Sequence, residues 1–162
     1  MTAEPARDVV AVFWNAARAA SPDLPAEPPD PDRVWGFGAT PEHADGLLAL
    51  VLDGVKTGTA SALWDYEADG DPLPEAGQHD VILDGSGTPR AVTVTTDVRI
   101  VPFDEVGEAH AHAEGEDDRT LASWRRIHRD FFTRYASHDR GFRDDMPVVC
   151  ERFRVVYAAP RG

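Results

Sequence analysis

At 162 residues, 42% hydrophobic and 28% charged, the chain has the length and composition of one globular domain with its own core. A net charge of −13 repels polyanions on average, which disfavours DNA and long nucleic acid and leaves a small substrate easier to accommodate. A single cysteine, Cys150, excludes an intrachain disulfide framework, no apolar run approaches the roughly 18 residues of a membrane span, and Met1–Pro5 lacks the basic start of a signal peptide; a cytoplasmic protein is expected.

Taken in order, Val9, Val10, Phe13, Trp14 and Ala17 recur at helical spacing and predict a helix over about residues 6–20. Five prolines between Ser21 and Pro31 forbid its continuation and predict a stiff surface connection. Trp35-Gly36-Phe37-Gly38 follows, with aromatics to plug a core and glycines that allow close backbone approach. Thr40-Pro41-Glu42 is a helix start: a hydroxyl cap, proline at the first helical position, then an acid in the first turn. Leu47 to Leu52 supply the apolar face and Gly54 the stop.

The stretch Gly54-Val55-Lys56-Thr57-Gly58-Thr59-Ala60-Ser61 concentrates an ammonium and three hydroxyls. It is no Walker A loop, because Val55 separates Gly54 from Lys56. A turn would gather Lys56 and Thr59 at one mouth, whereas an extended run sends their side chains to opposite faces. Two readings remain, a nucleophile with its activator or a hairpin approach with a solvated lysine, and local sequence alone favours the second.

A strand is expected over residues 59–64, another over His79–Asp84, and a Gly85-Ser86-Gly87 turn onto a long β-branched strand, Arg90–Val101, whose length calls for a bend or bulge. A short helix follows Pro102. His110 to Asp118 reads as a solvated acidic turn, its acids complementing the next helix N-terminus, rather than as a metal site, although strand spacing would align His110, His112 and Glu114. No metal or cofactor is expected. Asp118 is read as the cap of a helix from Arg119 to Ser137, with a stripe of Leu121, Trp124, Ile127, His128, Phe131 and Tyr135. Seven arginines gather between Arg119 and Arg143, so a local basic patch could still bind RNA. Val148–Tyr157 closes the chain as a strand with Cys150 as a small buried residue. Strands with inserted helices and no βαβ alternation predict an α+β fold with a curved or barrel-like sheet.

Several of these pieces, in this order, resemble the ASCH domain family. They are Trp35-Gly36-Phe37-Gly38, Gly54 to Ser61, Gly77 to Gly85, Val101 to Val106, His112 to Asp117, Leu121 to His128, and Val148 to Phe153. The resemblance runs from about residue 33 to 157, which divides the chain into an N-terminal helix and proline-rich connection (1–32) and a domain over 33–160. It implies a PUA-like small curved β-barrel with flanking helices, and RNA or nucleoside binding in a cleft beside the barrel.

One branch of that family resembles amidohydrolases that deacylate N4-acetylcytidine; longer members resemble ribonucleases. The lysine, threonine and glutamate of the first branch fall on Lys56, Thr59 and Glu116. A neutral Lys56 would take the proton of Thr59, and Glu116 would protonate the leaving amine. Ser61, Trp64, Arg119, Thr120, Trp124, Arg125 and His128 are the substrate-binding candidates. Trp64 and Trp124 offer π-faces to a base, core packing being the stronger reading for Trp124, and His128 shares that helix face. The alternatives are a metal-independent ribonuclease on single-stranded RNA, with Arg119 or Arg125 holding a flanking phosphate, and a module that binds RNA or a modified nucleoside without chemistry.

Overall fold

The computed structural model describes residues 5–160. Among these residues five α-helices and five strands follow in the order α1 Arg7–Ala20, β1 Val34–Trp35, α2 Pro41–Leu52, β2 Gly58–Ala62, α3 Leu63–Asp69, β3 His79–Leu83, β4 Pro89–Pro102, α4 Glu108–Glu114, α5 Leu121–Arg134 and β5 Pro147–Ala158. The strands form one mixed sheet in the order β1-β3-β4-β5-β2. β1 runs parallel to β3, whereas β3–β4 and β2–β5 are antiparallel. The fold is α+β as expected. The expected closed barrel is not formed: among the described residues β1 and β2 are sheet edges, and β1 is only two residues long. The register irregularity expected for the long strand falls in the β3–β4 pairing, between Ile82 and Leu83.

The chain separates into two compact units. Of the described residues, the first comprises 5–53, 77–94 and 154–160, the second 54–76 and 95–153. The first is built on Trp14, Ala17, Leu24, Val81, Leu83 and Val92. Val10, Trp14 and Ala17 are the buried stripe of α1 at i, i+4, i+7, which is why this segment is a helix docked on one side. Burial of a side chain the size of Val10 contributes about 1.5–3 kcal/mol, and that of the Ala17 methyl about 0.8. Trp35 and Phe37 stack edge to face at 4.6 Å, and Phe37 is buried.

The second unit packs Phe103, Trp124, Phe132, Met146, Val148 and Cys150 into one cluster. Here three expectations are corrected. β2 ends at Ala62, and residues 63–69 form α3, closed by Gly70 in the left-handed conformation. The helix expected from Arg119 starts at Leu121. Its cap is Thr120, whose side chain accepts from the Ser123 N–H, while Asp118 accepts from both the N–H and the hydroxyl of Thr120. Finally, residues 108–114 are helix α4, not a solvated turn. Helical spacing turns His110, Ala111 and Glu114 inward together.

Candidate active site

Lys56 lies two residues before β2, and its ammonium is buried: the side chain is 1% exposed. Backbone contacts clamp this segment onto the end of α4. Thr57 N–H donates to the Ala113 carbonyl at 2.7 Å. Gly115, at φ 72°, ends α4 where a Cβ would come within 2.6 Å of the Val55 carbonyl oxygen, so only glycine lets the two segments approach.

The Nζ of Lys56 reaches Glu116 Oε2 at 3.2 Å, Glu114 Oε1 at 3.3 Å and the Glu114 carbonyl at 3.4 Å. Of the residues singled out in the sequence, the structure therefore brings Lys56 and Glu116 together. The residue missed is Glu114, 1% exposed, which holds four side-chain donors. Its Oε1 faces Lys56 and, at 3.3 Å, His128 Nε2; its Oε2 accepts from His110 Nε2 at 2.8 Å and from the Trp124 indole N–H. The i, i+4 spacing of His110 and Glu114 was the available signal, once the segment is read as helix rather than strand.

These contacts separate the two carboxyls. Burial opposes ionisation of Glu114, but the charges of His128 and Lys56 and the hydrogen bonds from both histidines outweigh it and hold the group well below the usual range. Glu116 moves the other way. Burial dominates, the Glu114 charge adds to it, and the pull of Lys56 does not compensate, so the carboxyl is raised.

His128 completes the balance. Its Nδ1–H donates to the Trp124 carbonyl at 2.9 Å, which leaves Nε2 facing the Glu114 carboxylate. That arrangement is attractive only if Nε2 also carries a proton. Burial disfavours the imidazolium, yet Glu114 raises its proton affinity further. His128 and Trp124 stack at 4.3 Å, and both are buried.

Thr59 lies three residues beyond Lys56, in β2, and pairs with Glu151 in the ladder. The other candidates are dispersed. Ser61 lines a shallow cavity of ≈ 220 Å³ with Asp65 and Phe131. Trp64 meets His138 edge-on at 5.2 Å and carries the Arg140 guanidinium 4.8 Å over its ring. Arg119 donates to the carbonyls of His112 (3.0 Å) and Val55 (3.4 Å), Arg125 to that of Asp104 (3.1 Å), and Thr120 is a helix cap. Cys150 is no nucleophile: burial pushes its thiol up to about 12. Glu114, Glu116 and His128 lie close enough to share a metal ion, but the Lys56 ammonium is bound to both carboxylates of that set.

A buried ammonium is thus shared by two carboxyls shifted in opposite directions, with the His128 ring beside the stronger acid. The ASCH domain model matches residues 33–157, and the chain belongs to the ASCH domain family. It is similar to the crystal structure of protein EF3133 from Enterococcus faecalis V583, at 39% identity over 91% of this chain and 88% of that one, with a TM-score of 0.80. It is also similar to an ASCH domain from Lactobacillus crispatus JV V101, at 28% identity over 93% and 95% of the two chains and a TM-score of 0.77. No curated protein matches the chain. Among the described residues no helix is long and apolar enough to cross a membrane.

Proposed function

We propose that this protein is an ASCH-family hydrolase that deacylates an N4-acylated cytidine-like substrate, with Lys56 and Glu116 as the proton-handling pair and Thr59 as the attacking hydroxyl. The observation that carries the reading is the ion pair Lys56–Glu116, an ammonium shut from solvent against a carboxyl whose proton affinity is raised. Moving one proton from Lys56 to Glu116 yields a neutral amine and a neutral acid without changing the total charge. Raised acid affinity lowers the cost of that transfer. The neutral amine can then accept the Thr59 hydroxyl proton as its oxygen bonds the acyl carbon, and the Glu116 carboxyl can give its proton to the amine nitrogen as the C–N bond breaks; water then cleaves the Thr59 ester, releasing the acid and restoring the hydroxyl. Glu114, saturated by its four donors and countered by His128, stays ionised throughout and holds Lys56 in place. Glu116, at 19% side-chain exposure, is the member of the cluster that a substrate can reach first.

The test is hydrolysis of N4-acetylcytidine by purified protein. Lys56→Ala and Glu116→Gln should each lower kcat/KM by about 10²–10⁴; variants as fast as wild type reject the assignment, and Thr59→Val separately tests the nucleophile. The ribonuclease reading has less support, because Arg119 and Arg125 are directed at backbone carbonyls.

A further inference from the structure

Along β5 the alternate residues Val149, Glu151 and Phe153 share one face, and all three are buried. An acid at 6% exposure thus interrupts an apolar row, where a hydrophobic residue would pack without the cost of desolvating a carboxyl. In the register with β2, Ser61 stands opposite Val149 and Thr59 opposite Glu151. Residues directly opposite in an antiparallel pair carry their Cβ atoms on the same face, about 4.5–5.5 Å apart. The acid therefore sits beside the hydroxyl to which the attack is assigned.

We infer that Glu151 is a specificity-determining residue of this site, its carboxyl oxygen accepting the N–H of the scissile amide. The inference rests on the hydrolase reading above and adds what selects the bond that is cut. Once the acyl carbon is bonded to the Thr59 oxygen, the amide nitrogen is one further bond away, about 1.3–1.5 Å, within reach of the cross-strand neighbour of Thr59. Glu116 comes from beyond α4, a separate element, so the nitrogen has one carboxyl for its N–H and another for its lone pair. An acceptor on the N–H makes the nitrogen more basic and leaves its lone pair for the Glu116 proton as the C–N bond breaks. Glu151 itself neither gains nor loses a proton. Among the described residues β2 is a sheet edge, so no further strand pairs beyond Thr59.

The test compares N4-acetylcytidine with N4-acetyl-N4-methylcytidine, which has the same acyl group and no N–H, using the full chain with thermal melts as the check on folding. Wild type should prefer the N–H substrate. Glu151→Met and Glu151→Leu both delete the acceptor, and either suffices if the other does not fold. Each should lower kcat/KM for N4-acetylcytidine about 10–100-fold and leave that for the methylated amide nearly unchanged, so that the preference collapses. Glu151→Gln, which keeps an acceptor oxygen, should restore most of it. Equal losses on both substrates would mark a structural role and overturn the inference, as would a preference unaltered in the Met variant. Wild type that hydrolyses neither substrate removes the hydrolase reading and this inference with it. Hydrolysis of N4-acetylcytidine with an unaltered preference removes only the role of Glu151.

Discussion

Each compact unit buries an ion pair, and the two are built differently. In the first, Arg33 forks onto Asp80, with Nε 2.6 Å from Oδ1 and the terminal nitrogen 3.0 Å from Oδ2. A guanidinium stays charged and its planar fork fixes the carboxylate in one orientation, so this pair is a clasp. In the second, the cation is a lysine, a single ammonium divided between two carboxyls. Lysine can surrender a proton when buried, and of its two partners here Glu116 is the one whose proton affinity is raised. A fixed pair ties segments together; a shared one can do chemistry.

The largest expected effect comes from removing the hub of the second arrangement. Glu114→Ala leaves Lys56, His128, His110 and Trp124 facing a hole, and loss of one member of a buried ionic set costs about 3–5 kcal/mol. Asp80→Ala should cost less, because the Arg33 side chain is 17% exposed and can turn to water. Urea midpoints of the two variants test that order, and equal losses would mean that the lysine cluster is no more tightly integrated than the clasp.

Next in size is a pH effect of opposite sign in the two units. Burial pushes Asp80 up from 3.8 to about 6, against the pull of Arg33 and of hydrogen bonds from Trp35 and Arg33. The folded state then holds a proton that the unfolded chain has lost, so stability falls as pH rises from about 4 to 6, by a total on the order of 3 kcal/mol. Glu114 is depressed, so its contribution is present above the ordinary carboxylate range near 4.5 and is lost as pH falls through its lowered folded value. Subtracting the Asp80→Asn profile of unfolding free energy from that of wild type isolates the first trend. A flat difference between pH 4 and 6 would deny it.

How much of this was legible beforehand depended on the range of the interactions. Thr40-Pro41-Glu42 announced α2 because caps act within one turn, and β4 declared itself by alternation and β-branching over fourteen residues. Lys56 and Glu116 could be joined only through the family resemblance, since nothing local links positions sixty residues apart. Glu114 escaped because the acids around it suggested solvation; its burial depends on Trp124 and His128, delivered by a different helix. The two residues of β1 pair with a distant strand and carry too little pattern to be seen. α3 was hidden by the apolar start Leu63-Trp64, which extends the look of β2, although Gly70 marked its end.

A smaller effect concerns the proton on His128. Glu114 raises it above the ordinary 6.5, so the stability this contributes is complete below 6.5 and fades as pH rises through the folded value. In Glu114→Gln burial is opposed only by the Glu116 charge and the hydrogen bond to the Trp124 carbonyl, and the imidazole midpoint read by NMR should fall from its wild-type value. A midpoint unchanged from wild type would show that the carboxylate is not what charges His128.

The finest comparison is between two helix caps. Thr40 in the first unit accepts from the His43 N–H at 3.1 Å, and Thr120 in the second accepts from the Ser123 N–H at 3.2 Å. Loss of such a cap costs about 1 kcal/mol. The surroundings differ, however. Asp118 already accepts from the Thr120 N–H at 3.0 Å and its carboxyl, lowered to about 2 by hydrogen bonds from Ser123 and Thr120, remains an acceptor beside the α5 N-terminus when the threonine hydroxyl is gone. Thr40→Ala should therefore lower the urea midpoint more than Thr120→Ala, with m unchanged in both. The double variant Asp118→Ala/Thr120→Ala should then exceed the sum of its single variants, because each removes the other's substitute. Strict additivity would mean that the two side chains cap independently and that the difference between the helices lies elsewhere.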